Sequence, residues 1–325
     1  MAQTDRQYEC ILLGATGYTG KYTAEHITTH LPTDFKWAIS GRSQTKLESL
    51  RQDLQNLNPN RDPPAIEVCP LEKPALLSLA RKTKVLISTI GPYHMHGTPV
   101  LAACAETGTH YLDVTGEVPW HLEMVEKYDK LAKSTGAIII PQNGVESAPA
   151  DLLSWAMVQH VRQELGTGTA ECVVSMHEMK AAPSGGTLAT VLTLFDTYSL
   201  SEFKRTQNPW CMCPIPPPRP SEADRTSWFE RLTGVRSVPG LGTLTDSLSS
   251  PADVPVVNRS WGLLQTSTNY GPDFRFRAYA RARNMLQGFL THLAMTFGVL
   301  ALIIPPVRWL LLRLVTQAGD GPSRE

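Results

Sequence analysis

The residues best suited to chemistry lie in "CILLGATGYTGKYTAEHI", 10–27, where Gly14, Gly17 and Gly20 fall three apart between an apolar run and a helix-like run. A dinucleotide turn needs small residues in this way. The first permits a tight turn after a strand, the second lets backbone approach the pyrophosphate, and the third lets a helix pack close to the sheet. The helix then presents its positive end to phosphate. The spacing is G-x-x-G-x-x-G rather than G-x-G-x-x-G, so the strand–turn–helix context carries the reading. Gly14, Ala15, Thr16, Gly17, Tyr18, Thr19 and Gly20 are the expected cofactor-binding turn, and a purely structural tight turn is the alternative.

The next strand should end on the residue that chooses the cofactor. An acid there bonds the ribose 2′-hydroxyl of NAD. "WAISGRSQTKL" has none, and offers Ser40, Arg42, Ser43 and Lys46. A guanidinium matches a phosphate through its planar donor fork. Arg42, helped by Ser40 or Ser43 and Lys46, is read as a 2′-phosphate clamp, so NADP(H) is expected over NAD(H). Otherwise Arg42 is a solvated loop charge. "STIGPYHMHG" then puts Thr89 and Gly91 at the carboxyl edge of a later strand, where ligands bind open α/β sheets, and they are expected to border the cofactor. Tyr93 and His94 follow, and Lys180 enters from a later segment with His177 and Glu178. These first three are the candidate catalytic groups, since reduction of a C=C or C=O bond needs a proton donor near the nicotinamide. The plain readings are a packed tyrosine, a loop histidine and a solvated lysine. Glu117 either caps the crevice or binds a substrate hydroxyl, with a structural cap as the plain reading. His94-x-His96 has no evident third ligand, so no metal is expected.

These groups need a scaffold, and the first half alternates to provide it. Apolar strands ("CILLGA", "FKWAISGR", "AIEVCPL", "KVLISTIGPY", "AIIIPQNG") are separated by helical patterns. Ser43 is a plausible N-cap for a helix burying Leu47, Leu50, Leu54 and Leu57; Pro74 opens another and Gly136 closes a third. The fold class expected is α/β: a Rossmann-type parallel sheet domain over 1–150, followed by an α+β second domain over 151–284 and an apolar C-terminal helical segment over 285–325. Within the second domain, 207–260 is rich in Pro, Ser and Gly and reads as an excursion rather than a packed element. "FRFRAYARAR", 274–283, reads as an edge strand whose Arg275, Arg277, Arg281 and Arg283 face either solvent or an anionic partner. "GFLTHLAMTFGVLALII", Pro305-Pro306 and "VRWLLLRLV" read as helix, break, helix, with Arg308 and Arg313 at a headgroup layer and Trp309 as an interfacial anchor. A buried helical hairpin is the alternative.

Composition excludes some classes. Lys+Arg and Asp+Glu are both 30 among 325 residues, which leaves no electrostatic footprint for nucleic acid. Six scattered cysteines make neither a zinc site nor a disulfide framework, and the polar "MAQTDRQYE" is no secretory signal, so an intracellular protein is expected.

"GATGYTG", "AISGRSQTKL", "LISTIGPYHMHGTPVLAACAETGTHYLDVTGE" and "IIIPQNGVESAPADL" together resemble the saccharopine dehydrogenase-like oxidoreductases, most strongly over 8–190. That family includes lipid-droplet-associated animal and fungal members and the trans-acting enoyl reductases of bacterial lipid and polyketide pathways. The resemblance implies an NADP(H)-dependent oxidoreductase with Gly14, Gly17, Gly20 and Arg42 in its cofactor domain and "YLDVTGE" at the crevice. "HEMKAAPSGGTLAT" matches the start of the family's second domain. Similar members continue past the point matching Glu325, which implies a shortened substrate lid. The apolar tail and "TLATVLTLF" point to a lipophilic or carrier-bound substrate of a trans-acting enoyl reductase-like enzyme, at a membrane or lipid-droplet surface, with a homodimer as the expected assembly. A catalytically silent lipid-surface protein and a dehydrogenase of a small amino-acid-like substrate are the other two readings.

Overall fold

The computed structural model describes residues 6–178, 185–218, 226–264 and 270–314. The chain forms two compact units. The first runs to Asn143 and includes a later helix as far as Leu194. Its strands are β1 (Tyr8–Leu13), β2 (Trp37–Gly41), β3 (Ala65–Val68), β4 (Thr83–Ser88), β5 (His110–Asp113) and β6 (Ile139–Ile140). Between them run α1 (Tyr18–His30), α2 (Gln44–Leu57), α3 (Lys73–Arg81), α4 (Tyr93–Thr107) and α5 (Val118–Thr135). The six strands pair in parallel in the order β3-β2-β1-β4-β5-β6. This is the doubly wound order, and its switch point lies between β1 and β4. β1 is the centre because Ile11, Leu12 and Leu13 have no exposed surface, as a strand covered on both faces requires. Leu13 pairs with Ser40 on one side and Ser88 on the other, and Ser88 pairs with Asp113. One register therefore sets the carboxyl ends of four strands level.

Local signals explain the helices. The Ser43 hydroxyl caps α2 by accepting from the Lys46 N–H at 3.4 Å. Leu47, Leu50 and Leu54 are buried as their spacing predicts, but Leu57 is 49% exposed because it is the last residue of the helix. Pro74 sits in the first turn of α3, and Gly136 closes α5 with φ of 78°.

The second unit contains α6 (Ala148–Leu165), β7 (Thr169–Met176), the end of α7 (Gly185–Thr197), α8 (Leu200–Thr206), α9 (Trp228–Thr233), β8 (Arg236–Val238), β9 (Gly242–Asp246), α10 (Ser250–Leu264), β10 (Tyr270–Arg281), α11 (Met285–Ile303) and α12 (Pro305–Leu314). Its mixed sheet has the order β7-β10-β9-β8. Two readings from sequence are corrected here. The described residues of 207–260, which leave out 219–225, are not an unpacked excursion. They supply α9, a β8–β9 hairpin turned by Gly240 and Gly242 at positive φ, and α10. Val257 and Trp261 of α10 are core residues, with the Trp261 indole N–H donating to the Gly271 carbonyl at 3.1 Å and Trp210 packed edge-on against it. The glycines and serines punctuate short elements rather than dissolve them. Nor is β10 an edge strand, since β7 and β9 flank it. Its arginines are occupied locally: Arg275 is buried, Arg277 pairs with Glu171 at 3.0 Å, and Arg281 meets His177 at 3.4 Å.

The apolar tail is helix, break, helix, with Pro305 and Pro306 opening α12. Arg308, expected at a headgroup layer, is instead buried. Its guanidinium donates to the Leu302 and Ile303 carbonyls and pairs with Asp196. The last carbonyls of α11 lack helical partners, and a cation at that end satisfies them.

Replacing Trp261 by Ala is expected to destabilise the second unit by roughly 3–5 kcal/mol. Urea unfolding followed by circular dichroism checks this; an unchanged transition would mean that α10 is not part of a packed core.

Candidate active site

The turn after β1 is built around contacts that no side chain could enter. Gly14 has φ of 87°, and a Cβ there would lie 2.9 Å from Thr89 Oγ1 and 2.8 Å from Ile90 Cγ1. A Cβ on Gly20 would lie 2.2 Å from the Gly14 carbonyl oxygen. On Gly17 it would approach the same oxygen to 3.3 Å. The Ser40 carbonyl accepts the Gly14 and Ala15 N–H groups at 2.9 and 3.2 Å, and the Leu13 carbonyl accepts the Thr89 N–H at 2.9 Å and its hydroxyl at 3.1 Å. α1 starts at Gly17 with no side-chain cap and no acid in its first turn. Its leading N–H groups and positive end suit an anion from outside the chain. Thr16 and Tyr18 are partly exposed beside it, Thr19 is exposed, and Ala15 is buried.

At the end of β2, Arg42 is exposed and no acid accompanies it. Ser40 reaches the site only through its backbone, because its side chain has no exposed surface. Ser43 is committed to capping α2. A neighbour weighed from sequence only as a metal ligand takes their place. His96, in the first turns of α4, has its pKa lowered by burial and then by the positive fields of Arg42 and His94. Two basic groups from β2 and α4 thus share the sheet edge, and a phosphate there would relieve their repulsion. An adenosine 2′-phosphate fits the cradle and its basic neighbours.

The other side of the switch point is organised by Glu117. Its carboxylate accepts the Tyr93 N–H at 2.7 Å, the His94 N–H at 2.8 Å and His94 Nδ1 at 2.7 Å. The side chains of His94 and Glu117 are 0% and 1% exposed. The structural cap is the role seen, and what it caps is α4, which begins at Tyr93 and whose N-cap, Pro92, has no side chain to offer. His94 is therefore a helix residue, not a loop residue. His94 Nε2 lies 3.2 Å from Thr193 Oγ1 on α7. Thr193 is distant in sequence and carried no local signal. The Tyr93 hydroxyl donates to the Ser88 carbonyl at 2.9 Å, and burial, reinforced by Asp113, raises its pKa well above the usual phenol value. Gly91 is exposed, and its peptide bond to Pro92 is cis.

Beneath this edge, Asp113 is buried. Oδ1 accepts the Thr115 and Gln142 N–H groups at 3.0 and 2.9 Å, and Oδ2 accepts the Tyr111 hydroxyl at 2.8 Å. Desolvation outweighs these donors and pushes its carboxyl up to about 7. Gln142 holds φ of 62° to reach it. The turn residues, Arg42, Thr89, Gly91, Tyr93 and His94 all gather at the carboxyl edge of one sheet. Lys180 lies outside the described residues.

The strand order and the glycine turn at its switch point define a dinucleotide-binding oxidoreductase fold. Comparison with known proteins makes this specific. The family model "Saccharopine dehydrogenase NADP binding domain" matches residues 10–140. A trans-acting enoyl reductase of Mycobacterium tuberculosis (strain ATCC 25618 / H37Rv) is 31% identical over 343 residues, covering 100% of this chain and 79% of that protein. One from Mycobacterium leprae (strain TN) is 36% identical over 165 residues, covering 50% of this chain and 38% of that protein. Among solved structures, apo saccharopine dehydrogenase (L-Glu forming) from Saccharomyces cerevisiae aligns at 13% identity and a TM-score of 0.39, covering 57% of this chain and 40% of that one. The chain belongs to the saccharopine dehydrogenase-like oxidoreductase family and is an NADP-dependent oxidoreductase.

The raised pKa of Asp113 fixes the sign of a pH effect. The folded carboxyl holds its proton better than the unfolded one, so this stabilisation is full below about pH 4 and is lost as pH rises through about 7. Asp113→Asn keeps an acceptor for the two amides and is expected to remove that dependence. Urea titrations from pH 4 to 8 should show wild-type stability falling relative to the variant; parallel curves would refute the assignment.

Proposed function

We propose that this chain is a trans-acting enoyl reductase-like enzyme that saturates the C=C bond of a lipophilic, carrier-bound acyl substrate with NADPH. The observation that carries the reading is the buried His94–Glu117 pair in the first turn of the helix that follows β4, at the same sheet edge as the uncapped glycine turn. The name of the Mycobacterium tuberculosis relative, which matches along 79% of its length, supports the reaction class.

Bound NADPH supplies the hydride. Gly14, Gly17 and Gly20 let the backbone N–H groups of the turn approach the pyrophosphate, and Arg42, with His96 beside it, reads the 2′-phosphate. Thr89 and Gly91 would border the ribose or nicotinamide side. Reduction also needs a proton at the carbon next to the acyl carbonyl. His94 would deliver it from Nε2, with Glu117 holding the ring at Nδ1 at 2.7 Å. Tyr93 positions that turn through Ser88 and stays a neutral donor.

Two measurements test this. Arg42→Asp is expected to weaken NADPH binding by roughly ten- to a hundredfold, and to change NADH binding far less, in a fluorescence titration. Equal losses for both nucleotides would remove Arg42 from cofactor choice, and binding of neither by folded wild type would favour the catalytically silent protein. With 2-enoyl thioesters and NADPH, His94→Gln is expected to lower kcat by roughly 10²–10⁴-fold with little change in the NADPH Kd. Turnover of an amino-acid adduct but of no enoyl thioester would overturn the reading.

A further inference from the structure

The proton source, His94, is enclosed. Its side chain has no exposed surface, and that of Glu117 has almost none. A proton on Nε2 therefore needs a carrier before it can meet a substrate carbon. The structure places a hydroxyl at that nitrogen: Thr193 Oγ1 of α7 lies 3.2 Å from Nε2. Thr193 belongs to the same compact unit as His94 and is partly exposed, so it is the end of the pair nearer the surface.

The two ring contacts differ in what they can do. On the Nδ1 side stands the Glu117 carboxylate at 2.7 Å, which also accepts the Tyr93 and His94 amides at 2.7 and 2.8 Å. A carboxylate only accepts, so it holds the ring and aims it. On the Nε2 side stands a hydroxyl, which accepts through its lone pairs and donates its own hydrogen. Such an oxygen can take a proton from a ring nitrogen and release another. It is also held in place. Thr193 Oγ1 lies 2.7 Å from the Ala189 carbonyl and 3.4 Å from the Thr190 carbonyl, one turn back on α7. These back-bonds and the branched Cβ leave the side chain few rotamers. Leu192, beside it, is buried and keeps this turn of helix fixed in its unit.

We propose that Thr193 passes the proton from His94 to the substrate, a step that rests on the enoyl reductase reading. The substrate's C=C bond, which gains the cofactor's hydride at one carbon, takes the Thr193 hydroxyl hydrogen at the carbon next to the acyl carbonyl. As that O–H bond breaks, Oγ1 takes the proton from Nε2 and the hydroxyl is restored. The ring enters the step with a hydrogen on each nitrogen and leaves it with Nδ1–H alone, still on Glu117. Water returns the missing proton once product has left. The net change is one hydride and one proton added across the double bond.

Thr193→Val keeps the branched outline and removes the hydroxyl, whereas Thr193→Ser keeps the hydroxyl. In the free chain, nitrogen NMR of isotope-labelled histidine is expected to show the His94 Nε2 signal shifted in Thr193→Val and close to its wild-type position in Thr193→Ser. With 2-enoyl thioesters and NADPH, Thr193→Val is expected to lower kcat by roughly a hundredfold with the NADPH Kd unchanged, and Thr193→Ser to stay within about tenfold of wild type. Rates in mixtures of light and heavy water should follow a curve for wild type, because two protons move together, and a straight line for Thr193→Val. Valine as fast as wild type, serine as slow as valine, or a straight wild-type plot would overturn the relay. So would an Nε2 signal that valine leaves in place. Wild type that reduces no enoyl thioester would overturn the underlying reading and the relay together, even with the ring signal shifted.

Discussion

The first unit depends on how closely α1 approaches the carbonyl of Gly14. At Gly20 there is no room even for a methyl group, and this distance sets the helix against β1 with its leading amides at the sheet's edge. The same Gly14 is overlaid by Thr89 and Ile90, so the turn after β1 and the end of β4 interlock at the switch point. Neither contact is a strong interaction. Each is a steric allowance that permits strong ones: the Ser40 carbonyl holding the Gly14 and Ala15 amides, and the Leu13 carbonyl holding Thr89. A side chain at Gly20 would have to move backbone, and one at Gly14 would press on the Ile90 and Thr89 side chains from a positive φ, which is why the arrangement tolerates so little change.

On the far side of the switch point the organising groups are ionic and buried. Asp113 ties the end of β5 to the Thr115 turn and to Gln142, which accepts an unfavourable backbone angle to reach it. Glu117 stands four residues later and orders the start of α4. A buried carboxylate that loses its donors is costly, so each of these acids demands that several segments be in place at once. The result is a fixed start to α4, with the His94 ring held between Glu117 and Thr193.

Much of this was legible in the sequence, for physical reasons that differ by region. In the first unit the strands are continuous apolar runs and the helices carry their own signals, Ser43, Pro74 and Gly136, so local information suffices. α4 was harder. Its start at Tyr93 is hidden by His-x-His-Gly and by Pro99 inside the helix, and its cap is Glu117, supplied from the segment after β5. The partnership of His94 with Thr193 has no local trace either. In the second unit, proline and glycine mark short elements as readily as linkers, and only packing around Trp261 distinguishes the two. Arg308 is the sharpest case: beside Trp309 in an apolar helix it reads as interfacial, but the unpaired carbonyls that draw it inward belong to the preceding helix.

The carboxylate that caps α4 has a consequence for the direction in which a dinucleotide can lie. Two helices, α1 and α4, begin beside the switch point at this sheet edge, and each would offer a phosphate the same leading amides and the same partial positive charge. At α4 the chain has already filled that position with its own fixed anion, at 2.7 and 2.8 Å from the first two amides. A pyrophosphate arriving there would be repelled and could not compete for the donors, whereas at α1 it meets none of its own charge. Charge alone, without a steric barrier, thereby weighs against the reversed placement.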